Sequence, residues 1–284
     1  MKEAAFYRPL ENQAVECRLC PHHCRIPPGG RGLCKVRHNR DGTLIAESYG
    51  RITSMALDPI EKKPLARFHP GARILSLGSY GCNFRCGFCQ NHEISMEEAG
   101  YRELSPRQVS AAARELAADG NIGVAYTYNE PLIGYEFVRD CAALIAAQGQ
   151  KNVLVTNGFV CREPLAELLP LIHAMNIDLK SFTPAFYAEI GGELEDVRHA
   201  IQLAASRCHV EVTTLVIPGK NDSVHEMELL SQWLAGIDRD IPLHISRFFP
   251  AHKLRDIPAT PVKTICRLVE AARKSLRYVY PGNC

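Results

Sequence analysis

From residue 73 onward, short apolar runs alternate with stretches in which apolar positions recur every three or four residues, so strands should alternate with helices. The pattern predicts strands over 73–77, 122–127, 152–156, 174–179, 209–216 and 242–246. Helices are predicted near 106–118, 132–147, 163–169, 194–206 and 224–234, and a last one near 262–274 precedes a short apolar tail. Ser105 as N-cap and Pro106 in the first helical position make a clean helix entry. Strand and helix in strict alternation build a parallel sheet. Six such units fall short of the eight of a closed barrel. The expected fold class is α/β: a partial (β/α)6 barrel over 69–284, preceded by a small Cys-rich metal-binding module over 1–68.

Before Phe68 the chain is rich in Cys, Pro, Gly and Arg and has little helical periodicity. Residues 43–48 and 51–57 read as two strands around a Tyr49-Gly50 turn, and DPIEKKPL at 58–65 reads as a linker. A chain of 284 residues with 46% hydrophobic and 23% charged residues has the make-up of a soluble globular protein. A formal charge of +2, with no run of Lys or Arg, gives no field that would gather nucleic acid, so none is expected as partner. The first residues lack a basic segment followed by an apolar one, and no apolar run approaches the about eighteen residues of a membrane span. The expected location is the cytoplasm. In that reducing setting twelve cysteines read as metal ligands rather than disulfides, and seven of them fall into two clusters. Cys141, Cys208 and Cys266 are expected as small core residues.

Cys82, Cys86 and Cys89 lie in SYGCNFRCGFCQN, just after the first predicted barrel strand. Three thiolates in a tight loop suit a cubane iron–sulfur cluster, and Gly81 and Gly87 let the backbone wrap around it. Three ligands for four irons leave one iron open to an external ligand, as a catalytic zinc keeps an open position. The competing reading is a structural zinc site completed by His92 or a distant residue. Cys17, Cys20, Cys24 and Cys34 form the other cluster, with His22 and His23 able to replace one Cys; four thiolates saturate either a zinc ion or a second Fe–S cluster.

The spacing of Cys82, Cys86 and Cys89, with Phe88 before the last, resembles the signature of the radical S-adenosylmethionine (SAM) superfamily. The resemblance implies a [4Fe-4S] cluster on the triad whose open iron is chelated by the amino and carboxylate groups of SAM. One electron from the cluster would then yield a 5'-deoxyadenosyl radical that takes hydrogen from substrate. Phe88 would lie near the adenine. YTYNEP is similar to the Gly-Gly-Glu-Pro segment that contacts the SAM amine in pyruvate formate-lyase-activating enzymes, which implies that role for Asn129 and Glu130; Tyr128-Asn129 stand in place of the two glycines. Thr156 and Asn157, before Gly158, match the family's Thr-Asn-Gly, and Asn can pair with ribose hydroxyls. Asp178 and Lys180 match its Asp-Leu-Lys, where Lys can meet the SAM carboxylate. Val155 stands where activating enzymes carry the Asp of a monovalent-cation site. His244 and Arg247, in PLHISRFFP, are candidate SAM or substrate contacts.

The amino-terminal segment, with its Cys-Pro-His-x-Cys core and Gly32 to Arg37, resembles the radical SAM component of the AmmeMemoRadiSam system, and the likeness extends to Asn283. The resemblance implies an electron donor such as flavodoxin or ferredoxin. It also implies a radical acceptor that is a glycine of a partner protein, a peptide or a small molecule. The alternative, from another class, is a non-catalytic zinc or iron–sulfur adaptor.

Overall fold

The computed structural model describes residues 1–97 and 99–284. An eight-stranded sheet forms its centre, and its order follows the chain: Ser54–Pro59, Arg73–Gly78, Asn121–Tyr126, Lys151–Thr156, Ala174–Asp178, His209–Val216, Leu243–Arg247 and Val279–Gly282. The last seven run parallel, and Ser54–Pro59 adds an antiparallel edge beside Arg73–Gly78. The expected six strands are all present, and each edge gains one more. At one edge the apolar tail supplies Val279–Gly282. At the other, Ser54–Pro59 lies before the expected boundary at Phe68, so the sheet begins inside the amino-terminal segment.

Helices Pro106–Glu115, Tyr135–Ala147, Arg162–Leu168, Leu194–Ala205, Val224–Ile237 and Val262–Ala272 occupy the connections. Ser105 closes a capping box with Gln108, and the Ser223 side chain accepts from the Glu226 N–H. Strand residues alternate between two environments, as the pleat requires. Leu75, Leu77, Val124, Tyr126, Leu154, Met175 and Ile177 join the core that includes the helices, whereas Ile74, Ala125, Val153 and Ala174 form a separate cluster with Ile60 and Leu65.

That second cluster overturns the linker expected at 58–65. Ile60 and Leu65 are fully buried, and Lys63 is only 3% exposed. The segment is a plug in the amino-terminal end of the barrel. Asn176 Nδ2 donates to the Pro64 carbonyl at 2.8 Å, and the backbone N–H groups of Ala66 and Arg67 donate to the Glu211 carboxylate at 2.9 and 2.7 Å. A partial barrel has an open floor lined with apolar side chains, and the nearest chain that can cover it is the one leading into its first parallel strand.

The hairpin expected around Tyr49-Gly50 is also replaced. Thr43–Ala46 pairs with Arg37–Arg40, turning through Asp41 and Gly42, both at positive φ. Arg51–Ile52 instead pairs with Arg102–Glu103, and Gly50 passes so close to the Leu104 carbonyl that a Cβ there would stand 2.8 Å away. The amino-terminal module is bolted to the barrel by Arg37, whose guanidinium meets both oxygens of Glu136 at 3.0 Å; both side chains are 1% exposed. Of the isolated cysteines, Cys141 is buried as expected and Cys208 partly so, but Cys266 is exposed, because it falls on the outer face of the last helix.

Candidate active site

The strand ends opposite the plug surround a cavity of about 300 Å³. Its lining includes Cys82, Cys86, Cys89 and Phe88 from the loop after the first parallel strand, Asn129 and Glu130 after the second, Thr156 and Asn157 after the third, and Asp178 and Lys180 after the fourth. Of the twelve residues named above for the triad and SAM, these ten therefore share one space. Val155 lines it too.

Much of the polar chemistry braces the cysteine loop. Asn83 Nδ2 donates to the Phe159 carbonyl at 2.7 Å, and its Oδ1 accepts from Asn157 Nδ2 at 2.8 Å, an amide nitrogen also 3.7 Å from Cys82 Sγ. Asn129 accepts from the Ser79 N–H and donates to the Gly81 carbonyl, both at 3.0 Å. Gly81 sits at φ +87°, where a Cβ would strike the Cys34 carbonyl at 2.7 Å. Burial pushes the Cys82 thiol well above its usual range, helped by the Glu130 charge, and burial holds Cys86 at about 11 despite the pull of Lys180. Such thiols ionise when a metal takes the proton's place.

Glu130 is buried and already heavily engaged. One oxygen accepts from Thr156 Oγ1 at 2.7 Å and the Leu132 N–H at 2.9 Å, and the other accepts from the Asn157 N–H at 2.7 Å. A carboxylate has about four lone-pair sites, so one remains for a cation in the cavity. Burial raises its pKa to about 7 against these bonds. Lys180 Nζ donates to Asp178 Oδ2 at 2.9 Å; burial alone would lower the ammonium's pKa, but Asp178 and Cys86 raise it, so it stays charged. It also lies 5.9 Å from the centre of the Phe88 ring.

His244 and Arg247 do not line the cavity. His244 Nε2 is 2.6 Å from Glu211 Oε2, deeper in the barrel, and Ser246, two residues further on, takes the cavity position. Arg247 Nε donates to the Thr260 carbonyl at 2.8 Å, and its guanidinium stacks 4.9 Å from the centre of the Phe249 ring. Sequence reasoning missed Asn83 and Asn91. Their signal was their position, each next to a triad cysteine or two residues past one. Tyr128 also faces the cavity, at φ +72°, a strained backbone for a bulky residue.

Cys17, Cys20, Cys24 and Cys34 ring a separate void of about 10 Å³. Burial raises Cys17, Cys20 and Cys34, the last to about 11. Among the described residues no three His, Cys, Asp or Glu side chains stand at the spacing of ligands to a single ion. His22 connects this region to the triad loop, with Nε2 2.8 Å from the Asn83 carbonyl oxygen.

The sequence model of the radical SAM superfamily matches residues 77–230. The chain belongs to the radical SAM superfamily. Across its full length this radical SAM protein is 41% identical, over 293 residues, to an uncharacterized protein of Methanocaldococcus jannaschii, covering 85% of it. It is 26% identical over 181 residues to pyruvate formate-lyase 1-activating enzyme of Escherichia coli K12, covering 60% of this chain and 72% of that one. The fold is similar to that of a radical SAM methyltransferase from Sphaerobacter thermophilus, with a TM-score of 0.57, 17% identity and coverage of 75% of this chain and 67% of the other. A domain of pyruvate-formate lyase-activating enzyme from Bacteroides vulgatus matches 57% of this chain and 99% of its own, with a TM-score of 0.50 and 19% identity. The protein is a radical SAM enzyme, and membership implies SAM and a [4Fe-4S] cluster as cofactors. Among the described residues no helix is long and apolar enough to cross a membrane.

Proposed function

We propose that Cys82, Cys86 and Cys89 would hold a [4Fe-4S] cluster supplying the one electron that cleaves SAM into methionine and a 5'-deoxyadenosyl radical. The observation that carries this reading is the convergence of the triad with the ends of the next three strands on one cavity. The cluster, when bound, supplies the electron and the open iron for SAM. The chain's own residues bind and orient. Lys180 offers an ammonium to the SAM carboxylate, and Asp178 keeps that ammonium charged. Glu130 has one acceptor position left for the SAM amine. Phe88 gives an apolar wall for the adenine, while Thr156, Asn157 and Asn129 hold the strand ends in register and present polar edges to the ribose.

The amino-terminal cysteines are assigned to structural zinc. Four thiolates around one small void suit a tetrahedral zinc, whose ligation would draw the sulfurs inward. Likeness to an activating enzyme supports a glycine of a partner protein as the radical acceptor, with a peptide or small molecule as the other class, and a flavodoxin or ferredoxin as electron donor. The whole-length resemblance from Cys17 onward favours the radical SAM component of the AmmeMemoRadiSam system, acting in the cytoplasm.

The test is anaerobic iron–sulfide reconstitution, then dithionite and SAM, with 5'-deoxyadenosine measured beside the variant carrying Cys82→Ala, Cys86→Ala and Cys89→Ala. Product from the unaltered chain alone supports the reading. Zinc retained with no iron taken up, and SAM left intact, would replace it with the adaptor.

A further inference from the structure

Tyr128 combines features that packing alone does not require. It lines the cavity that holds the triad, yet its backbone sits at φ +72°, a region that a bulky side chain occupies only when its surroundings force it. The forcing groups come from the plug. Tyr128 Oη donates to Asp58 Oδ2 at 2.8 Å, and Lys63 Nζ donates to the same oxygen at 2.9 Å. The Lys63 ammonium also lies 4.8 Å from the centre of the Tyr128 ring. Gly78 packs against the ring, and a Cβ there would come within 2.8 Å of Tyr128 Cδ2. The Tyr128 carbonyl accepts from Asn91 Nδ2 at 2.7 Å, two residues beyond Cys89. One residue thus joins the barrel floor to the cysteine loop, directly before Asn129 and Glu130.

We infer that Tyr128 is a positioning residue, anchored by Asp58 and Lys63, whose left-handed backbone sets where Asn129 and Glu130 meet SAM. The inference rests on the reading of the cavity as the SAM site. The side chain does not carry the chemistry. Its ring points down into the space above Gly78, leaving the backbone to shape the cavity wall, and the Asp58–Lys63 pair compensates the strain of that arrangement. A glycine at 128 would adopt the same φ without an anchor.

The experiment is equilibrium SAM binding to the anaerobically reconstituted full chain, with iron content and thermal melting followed in parallel. The variants are Tyr128→Phe, Asp58→Asn, Tyr128→Gly and the double variant Tyr128→Gly with Asp58→Asn. Tyr128→Phe and Asp58→Asn should each weaken SAM about tenfold, the loss expected for one hydrogen bond to a charged group, while iron content stays at the level of the unaltered chain. Tyr128→Gly should weaken SAM less than Tyr128→Phe does, because glycine takes φ > 0 without strain, and Asp58→Asn should cost nothing further in that background. Unchanged affinity in Tyr128→Phe and Asp58→Asn would overturn the inference. So would an Asp58→Asn penalty that is equal with Tyr or Gly at 128, because that marks general damage to the floor. A chain that takes up iron at the triad but binds no SAM would end the proposed function itself, and the inference with it.

Discussion

The four amino-terminal cysteines and the three in the barrel mouth differ in the space they line: a void of about 10 Å³ against a cavity of about 300 Å³. The first set packs around a small void, with Arg37, Ile133 and Leu19 among its other walls. The second shares its space with Glu130, Asp178 and Lys180, charges that are only partly neutralised by one another. Residue type is the same in both, so it is the surroundings that support the proposal of a structural role for the first set and a reactive one for the second.

Removing the triad thiols should bring the largest change of all: loss of triad iron and of 5'-deoxyadenosine formation to background, with the thermal midpoint little moved. On the proposed zinc assignment, Cys34→Ala should do the reverse, destabilising the fold by upwards of about 4 kcal/mol, read as a lower denaturant midpoint and a missing zinc equivalent. If both variants lost only activity, the contrast between the two sites would collapse.

Glu136→Ala tests the bolt between the two regions. It leaves Arg37 charged and buried, a change that costs about 3–5 kcal/mol by denaturant titration. Next comes pH. Glu130 has a pKa of about 7 against an ordinary 4.5, chiefly from burial, so its ionisation costs stability as pH rises from about 4.5 through about 7. Acidification across that window should stabilise the fold yet weaken SAM, since the carboxyl loses the charge that faces the ammonium, and Glu130→Gln should flatten both slopes. A SAM affinity indifferent to pH from 8 to 5 would remove Glu130 from the binding set. Gly42→Ala should give the smallest effect, about 1 kcal/mol, from forcing a Cβ into the turn at φ +90°.

The barrel was legible because each βα unit repeats one local pattern, and the order of cavity residues followed from reading what stands at each strand end. Depth was not legible. His244 and Ser246 share a face by alternation, but only the second is high enough to line the cavity, whereas His244 meets Glu211 below it. The plug was misread because DPIEKKPL has the charge and prolines of a solvated connector. What buries Lys63 is a pairing with Asp58 and Tyr128 that no local pattern announces. The hairpin lies instead at Asp41-Gly42, a dipeptide that is one of the strongest short-range turn signals and that the expectation of strands around Tyr49-Gly50 passed over.

The plug also sets a condition on when the molecule can finish folding. The N–H of Ala66 finds its acceptor on Glu211, 145 positions later, and the Pro64 carbonyl finds its donor on Asn176, 112 positions later. During synthesis the floor segment emerges before most of the strands it seals, so its apolar residues wait in water until those strands follow. Contacts this far apart in the chain slow the search for the native state. A nascent chain halted before Glu211 would hold the plug's apolar partners Ile74, Ala125, Val153 and Ala174, yet lack the carboxylate on which the Ala66 and Arg67 N–H groups close the floor.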